Sequence, residues 1–174
     1  MTILIQFIHP YPERSRANHA VLDALRDLPG ARVNDLYALY PNFYIDIQRE
    51  QALLMEADVV LFQHPFYWYS CPALLKEWID VVLEQDFAYG AKGLALRGKR
   101  WLHSVTTGMP ATAYAPDGIN GIAVAELLKP FELTACFCGM TWLEPMIFHG
   151  AYAADEAQMA RYGQALRRRL ETLA

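Results

Sequence analysis

The chain has 174 residues, of which 54% are hydrophobic and 20% charged. That length predicts one domain, 1–174, and that balance excludes a disordered chain. A formal net charge of −4 excludes the basic face of a nucleic-acid binder, yet is less acidic than expected of a dedicated electron carrier that docks on basic partners.

Residues 2–8 (TILIQFI) form a short apolar run that ends at His9-Pro10 and reads as a buried strand. The same segment lacks the positive region and cleavage site of a signal peptide. Residues 16–28 place Ala17, Val21, Leu25 and Leu28 on one helical stripe, with Ser15 as N-cap. A weaker strand is expected at 32–36 and a short helix at 48–56. Residues 58–63 (DVVLFQ) are a second clear strand, ending at His64-Pro65. Leu74, Leu75, Trp78, Ile79 and Val82 then mark a helix over 73–84, with Pro72 in its first turn. Residues 100–106 (RWLHSVT) form a strand ending at Thr107-Gly108. A helix at 121–129, a strand at 133–138 (LTACFC) and a last helix at 155–173 complete the order. On this reading Cys136 and Cys138 share a buried strand face. Alternating strands and helices predict an α/β fold, a doubly wound parallel sheet with helices on both faces.

No apolar run reaches the roughly 18 residues of a membrane span. Three cysteines without CxxC spacing point away from disulfides and structural zinc, and toward a reducing cytoplasm. The five histidines are dispersed without an HExxH, which argues against a metal site. GxGxxG, Walker A and GxSxG sequences are absent.

In a doubly wound sheet, ligands bind beyond the carboxyl ends of the strands. Three loops follow from that rule. Loop 9–18 (HPYPERSRAN) carries His9, Ser15, Arg16 and Asn18 at a helix start, where free N–H groups and the dipole favour a phosphate. The alternative there is that Ser15 only caps and His9 only closes a turn. Loop 64–72 sets Phe66, Tyr67, Trp68 and Tyr69 in a row, and four consecutive aromatics cannot all enter one core. A flat ring stacked on Trp68 explains them, as does packing at a dimer contact. Loop 106–121 combines Thr106, Thr107 and Gly108 with Tyr114, Gly118 and Asn120, polar groups and glycines past which a ligand edge can approach backbone amides. Tyr114 is the proton or hydrogen-bond donor of that loop, or a structural tyrosine. Cys71 has no neighbouring base in sequence, and Arg167, Arg168 and Arg169 read as a solvated helix face.

With these loops in view, the sequence resembles the flavodoxin-like NAD(P)H:quinone oxidoreductases, and among them the ancillary proteins of glutathione-regulated potassium efflux (KefF/KefG type). The likeness lies in HPYPERSRAN at 9–18, LYALYPNFYIDI at 36–47, QHPFYWYSCPALLKEWIDVVL at 63–83, FAYG at 87–90, ALRGKR at 95–100, SVTTG at 104–108 and CGMTWLEP at 138–145. The resemblance implies a five-stranded flavodoxin-like sheet. It implies a bound flavin, FMN as in the bacterial branch with FAD as the alternative, and NADPH or NADH as donor. By matching positions, His9 and Ser15, Arg16, Ala17 and Asn18 would hold the phosphate end. Phe66, Tyr67, Trp68 and Tyr69 would line the ring system, and Thr106, Thr107, Gly108 and Met109 would meet its other edge.

Two departures stand out. The family reads TTGG where this chain has Met109 in place of the second glycine. The tyrosine and histidine that support reduced flavin in animal quinone reductases fall on Tyr114 and Asn120, and asparagine cannot titrate near neutral pH. The resemblance further implies a homodimer with its sites, and the FAYG segment, near the interface. The implied activity is two-electron, ping-pong reduction of a quinone or similar electrophile. The alternative is a regulatory subunit of a potassium-efflux transporter with secondary redox activity, held at the inner face of the membrane through that partner. A third reading is a one-electron carrier, which the modest charge and the wide aromatic loop disfavour.

Overall fold

The computed structural model describes residues 1–173. Strands β1 (Ile3–Phe7), β2 (Ala31–Asp35), β3 (Val59–Pro65) and β4 (Arg100–Thr106) are mutually parallel. The fifth position is shared by two short pieces, β5 (Thr141–Trp142) and β6 (Met146–Phe148), both parallel to β4. The order is β2-β1-β3-β4-β5, with β6 beside β4 further along the same edge. The chain leaves β1 toward one edge and returns to β3 on the other side. The switch in direction therefore opens a crevice at the carboxyl ends of β1 and β3.

Side chains alternate across the sheet. Leu4, Val60, Phe62, Trp101 and Val105 belong to one core layer, together with Leu53 and Leu54 of α3 (Ile47–Glu56) and Leu74, Leu75 and Trp78 of α4 (Ala73–Val82). Ile3, Ile5, Val59, Leu61 and Leu102 belong to the other, with Val21 and Leu25 of α1 (Arg16–Leu25) and Leu166 and Leu170 of the C-terminal helix (Glu156–Glu171). Both faces of the central strands are buried, which is why their sequences are continuously apolar. The C-terminal helix comes close to α1 through Gly163, where an added Cβ would lie 2.9 Å from the Ala20 carbonyl oxygen.

Between β2 and α3 runs α2 (Leu36–Leu39), one turn capped by Asp35. Between β4 and β5 come α5 (Val124–Leu127) and α6 (Lys129–Phe137), and the C-terminal helix is α7. The expected strand at 133–138 is thus the second half of α6. Pro130 sits in the first turn of that helix, and Leu128, Phe131, Ala135 and Cys138 are buried at helical spacing. A short apolar run cannot by itself distinguish the two periods. Cys136 is exposed and Cys138 buried, so they do not share a face. The helix expected at 121–129 is only α5 and the start of α6. Pro72 is the N-cap of α4 rather than a first-turn residue.

Two polar groups are built into the apolar layers. Glu50 of α3, fully buried, accepts from Gln6 of β1, Asn34 of β2, the Tyr40 hydroxyl and Trp78 Nε1, and pairs with Arg49. The Tyr40 hydroxyl is pushed up to about 12, by burial first and by the Glu50 carboxylate second. The other group is a pair of fully buried imidazoles. His64 Nδ1–H donates to the Pro65 carbonyl (2.9 Å), so His64 Nε2 accepts from His103 Nδ1–H (2.8 Å). Burial lowers His64 to about 4 and His103 well below its ordinary value, so both stay neutral in the folded protein.

Unfolding releases both rings to water, where they take up protons near pH 6.5. Stability is therefore full above that pH and is lost as pH falls toward the folded value. The loss expected for His64 is about 2 kcal/mol by pH 5, with His103 adding in the same direction. Urea midpoints measured between pH 7.5 and 5 check this, and a flat profile would refute it.

Candidate functional site

A cleft of about 390 Å³ opens at the carboxyl ends of β1, β3 and β4. Its wall takes His9, Ser15, Arg16, Ala17 and Asn18 from the first loop, Phe66 and Tyr67 from the second, and Thr106, Thr107 and Gly108 from the third. Ten of the fifteen residues expected in the site meet there. Tyr11, Arg14, Pro65, Ala151 and Tyr152 complete the wall.

The first loop makes the anion end. Ser15 is the N-cap of α1, and its Oγ accepts from the Asn18 N–H (3.3 Å) and from Asn18 Nδ2 (2.7 Å). An oxygen that accepts twice keeps its own hydrogen to give, so the Ser15 hydroxyl is a free donor. The backbone N–H groups of Arg16 and Ala17 are the first of the helix and have no intrahelical partner. The Asn18 side chain is wholly spent inside the protein. It also donates to Thr106 Oγ1 (3.1 Å) and accepts from Gln63 Nε2 (2.6 Å). Asn18 therefore orients Ser15 and Thr106, and has no amide hydrogen left for a ligand. His9 accepts the Tyr11 N–H at Nδ1 (3.0 Å), which places its neutral proton on Nε2. Burial lowers its proton affinity, with Glu13 opposing. Arg14 lies over the Tyr11 ring, 5.5 Å from its centre.

The second loop is a tight turn in which the Ser70 N–H donates to the Tyr67 carbonyl (2.9 Å). Its central residues, Trp68 and Tyr69, both have positive φ, 48° and 63°. Such turns favour Asn-Gly, and a bulky residue held there costs on the order of 1–3 kcal/mol. The turn sends the four aromatics in different directions. Phe66 and Tyr67 line the cleft, whereas Trp68 is 91% exposed on its rim. Trp68 therefore stands at the open edge and is not part of the cleft wall itself.

The third loop is tied to the segment after β6. The Thr107 N–H donates to the Phe148 carbonyl, Ala151 N–H to the Thr107 carbonyl, and Gly150 N–H to the Met109 carbonyl. Tyr152 lies against Gly108, where an added Cβ would meet its ring at 2.3 Å. Met109 is not among the residues with positive φ, so replacement of the family's second glycine costs no backbone strain. Its side chain is exposed on the rim, outside the cleft wall.

Tyr69, Tyr114 and Asn120 also stand outside the wall. The Tyr69 hydroxyl donates to Asn120 Oδ1 (3.1 Å), joining the second and third loops at the rim. Tyr114 is buried behind Phe66, with ring centres 6.0 Å apart, and its other neighbour is His149 at 5.4 Å. Burial raises the Tyr114 hydroxyl above its ordinary value, partly offset by the Thr107 hydroxyl. Burial pushes the Cys71 thiol up, which disfavours its thiolate.

Tyr11 and Arg14 of the wall lie within loop 9–18, and nothing in their residue types marks them out there. Tyr152 and His149 come from a fourth loop that the misread strand at 133–138 concealed. Among the described residues no group of three metal-ligating side chains occurs, and no helix is long and apolar enough to cross a membrane.

Known proteins agree with this architecture. A family model for the flavodoxin-like fold matches residues 1–170. A relative from Pectobacterium carotovorum, named glutathione-regulated potassium-efflux system ancillary protein KefG, is 54% identical over 168 residues, covering 94% of this chain and 92% of its own. The crystal structure of general stress protein 14 from Treponema denticola in complex with FMN covers all of both chains at 39% identity, with a TM-score of 0.94. An NADPH-quinone reductase from P. pentosaceus matches at 31% identity, covering 95% of this chain and 97% of its own, with a TM-score of 0.84. Matched so fully in sequence and in strand order, the chain belongs to the flavodoxin-like fold family.

Proposed function

We propose that the protein is an FMN-dependent NAD(P)H:quinone oxidoreductase. The observation that carries this reading is the cleft at the carboxyl ends of β1, β3 and β4, which joins a phosphate-type donor set to an aromatic and threonine-lined slot. The residues present fit FMN. The Ser15 hydroxyl and the Arg16 and Ala17 N–H groups are free donors at the positive end of α1, with two arginine side chains nearby. Phe66 and Tyr67 offer apolar walls to a flat ring, and the Gly108 N–H has no hydrogen-bond partner among the described residues. The FMN-bound neighbour at 39% identity supports FMN over FAD.

Bound FMN would supply the capacity to accept a hydride from a nicotinamide and pass it to a quinone. The protein's part is to hold, orient and shield. Asn18 fixes the Ser15 and Thr106 hydroxyls, and Gln63 fixes Asn18. Tyr152 narrows the mouth over Gly108. A single mouth serves donor and acceptor in turn, which predicts ping-pong kinetics. The exposed rim of Trp68, Tyr69, Met109 and Ile119 favours cover by a second copy of the chain; a purely monomeric species in sedimentation would remove this part. Tyr114 acts as a positioning residue through Thr107. Tyr114→Phe is expected to retain FMN and to lower quinone turnover roughly threefold to tenfold, the loss of one hydrogen bond. Unchanged kinetics would remove it from the mechanism.

The relatives named as potassium-efflux ancillary proteins support a second role, association with such a transporter at the cytoplasmic membrane face. Co-purification with a transporter's cytoplasmic domain checks it.

The deciding experiment for the first role is optical. The protein is reconstituted with FMN, NADPH or NADH is added without oxygen, and a quinone follows. Bleaching of the flavin bands and their return on adding quinone are expected. Failure to bind FMN would overturn the reading.

A further inference from the structure

The third loop opens with a contact that nothing in the cleft itself requires. Thr107 Oγ1 donates its one hydrogen to the Met109 carbonyl (2.8 Å). Its contacts with His149 Nδ1, at 3.1 Å, and with the Tyr114 hydroxyl must therefore be ones in which the threonine accepts. The neutral His149 ring thus carries its proton on Nδ1, and Nε2 holds the free lone pair. His149 is half-buried, so that lone pair is within reach of a proton from water. Thr107 lines the cleft and His149 does not, so the imidazole stands one residue behind the wall.

The other polar groups around the slot cannot play the same part. Asn120 does not titrate, and it is held at the rim by Tyr69. Tyr114, the titratable group that faces His149 from the turn Ala111–Tyr114, is raised by burial and stays neutral near pH 7. Burial alone lowers the proton affinity of His149, and no charged side chain adds to it. His9 is the other histidine of the site, but it belongs to the first loop, where Nδ1 is occupied by the Tyr11 N–H.

We infer that His149 is a positioning residue which fixes Thr107 through its Nδ1–H and, by taking a proton at Nε2, offsets negative charge arriving in the cleft. The inference rests on the flavin reading above. A hydride from the nicotinamide donor brings two electrons and one proton, a net charge of −1, into the slot. The compensating proton comes from solvent to Nε2 and returns to solvent when the hydride, and with it the negative charge, passes to the acceptor.

The test uses the whole protein with FMN as probe. The His149 ring is titrated by NMR with the bound FMN oxidised and then reduced by dithionite. Its proton affinity is expected to rise about tenfold or more on reduction. The midpoint potential of bound FMN should bend with pH in the same window. His149→Asn, whose amide can still donate to Thr107, should keep FMN bound and lose the bend. An equal titration in both redox states, or superimposable potential curves for the two proteins, would overturn the inference. Failure of FMN to bind the wild-type protein would instead bring down the flavin reading. Independently of FMN, the ring nitrogen shifts of the ligand-free protein report the neutral tautomer. Nδ1–H is expected, and Nε2–H would overturn the positioning role.

Discussion

Ser15→Asp is expected to weaken FMN binding by about a hundredfold or more while leaving the fold intact. Aspartate is as good an N-cap as serine, so its carboxylate can accept the Asn18 N–H and α1 keeps its start. The same carboxylate replaces the free Ser15 hydroxyl, a donor, with a charge that only accepts. A phosphate at the first turn of α1 would then face a like charge at hydrogen-bond range. At about 4 Å and an effective dielectric of 20, one such pair costs about 4 kcal/mol, and a hundredfold loss needs about 2.7 kcal/mol. Fluorescence titration with FMN and with riboflavin gives the decisive contrast. Riboflavin has no phosphate and should bind the variant and the wild type alike. Equal weakening of both ligands would mean that the cleft was distorted. Unchanged FMN affinity would mean that the phosphate does not lie at α1.

Glu50→Ala should cost the protein about 3–5 kcal/mol, the largest stability loss anticipated from one side chain here. The carboxylate is the shared acceptor for Gln6, Asn34, Tyr40 and Trp78, and the partner of Arg49. Its removal leaves buried donors without acceptors, each with a desolvation penalty, and takes the counter-charge from the half-buried Arg49 guanidinium. Glu50→Gln keeps an acceptor oxygen for Trp78 Nε1 and should cost less. Urea denaturation at pH 7.5 measures both, and a loss below about 1 kcal/mol for the alanine variant would show that water replaces the carboxylate. The network has a functional consequence as well. Gln6 and Asn34 are register partners at the carboxyl ends of β1 and β2, just before the loop that leads to Ser15. Loosening them should raise the exchange rates of loop 9–18 before global unfolding.

Four of the strands, and the end of the sheet at which the cleft opens, are legible in the sequence alone. Runs such as ILIQF and VVLFQHP are apolar on both faces, and only a covered parallel strand tolerates that. Once such strands alternate with amphipathic helices, the ligand end lies at their carboxyl termini. His9, Ser15, Phe66 and Thr107 could therefore be placed before any distance was known. Capping is also local: Ser15 reaches the Asn18 N–H only three residues away, and that reach was legible in RSRAN.

Tertiary structure decided where each side chain in those loops points. Nothing in PFYWYS states that Trp68 and Tyr69 take positive φ, because left-handed turns are normally signalled by glycine or asparagine. That turn leaves Trp68 on the rim and sets Phe66 between the cleft and Tyr114. The apolar run at 133–138 joined α6 because its buried partners, Leu128 and Phe131, precede the run itself. With that helix in place, the true edge strand moves to 141–148 and is split around Pro145, which has no N–H to give to β4. The loop that follows brings His149 and Tyr152 to Thr107 and Gly108, contacts that span more than 40 residues of chain. Periodicity reports only neighbours along the chain, so a partner that arrives from that distance becomes visible only when the sheet has closed.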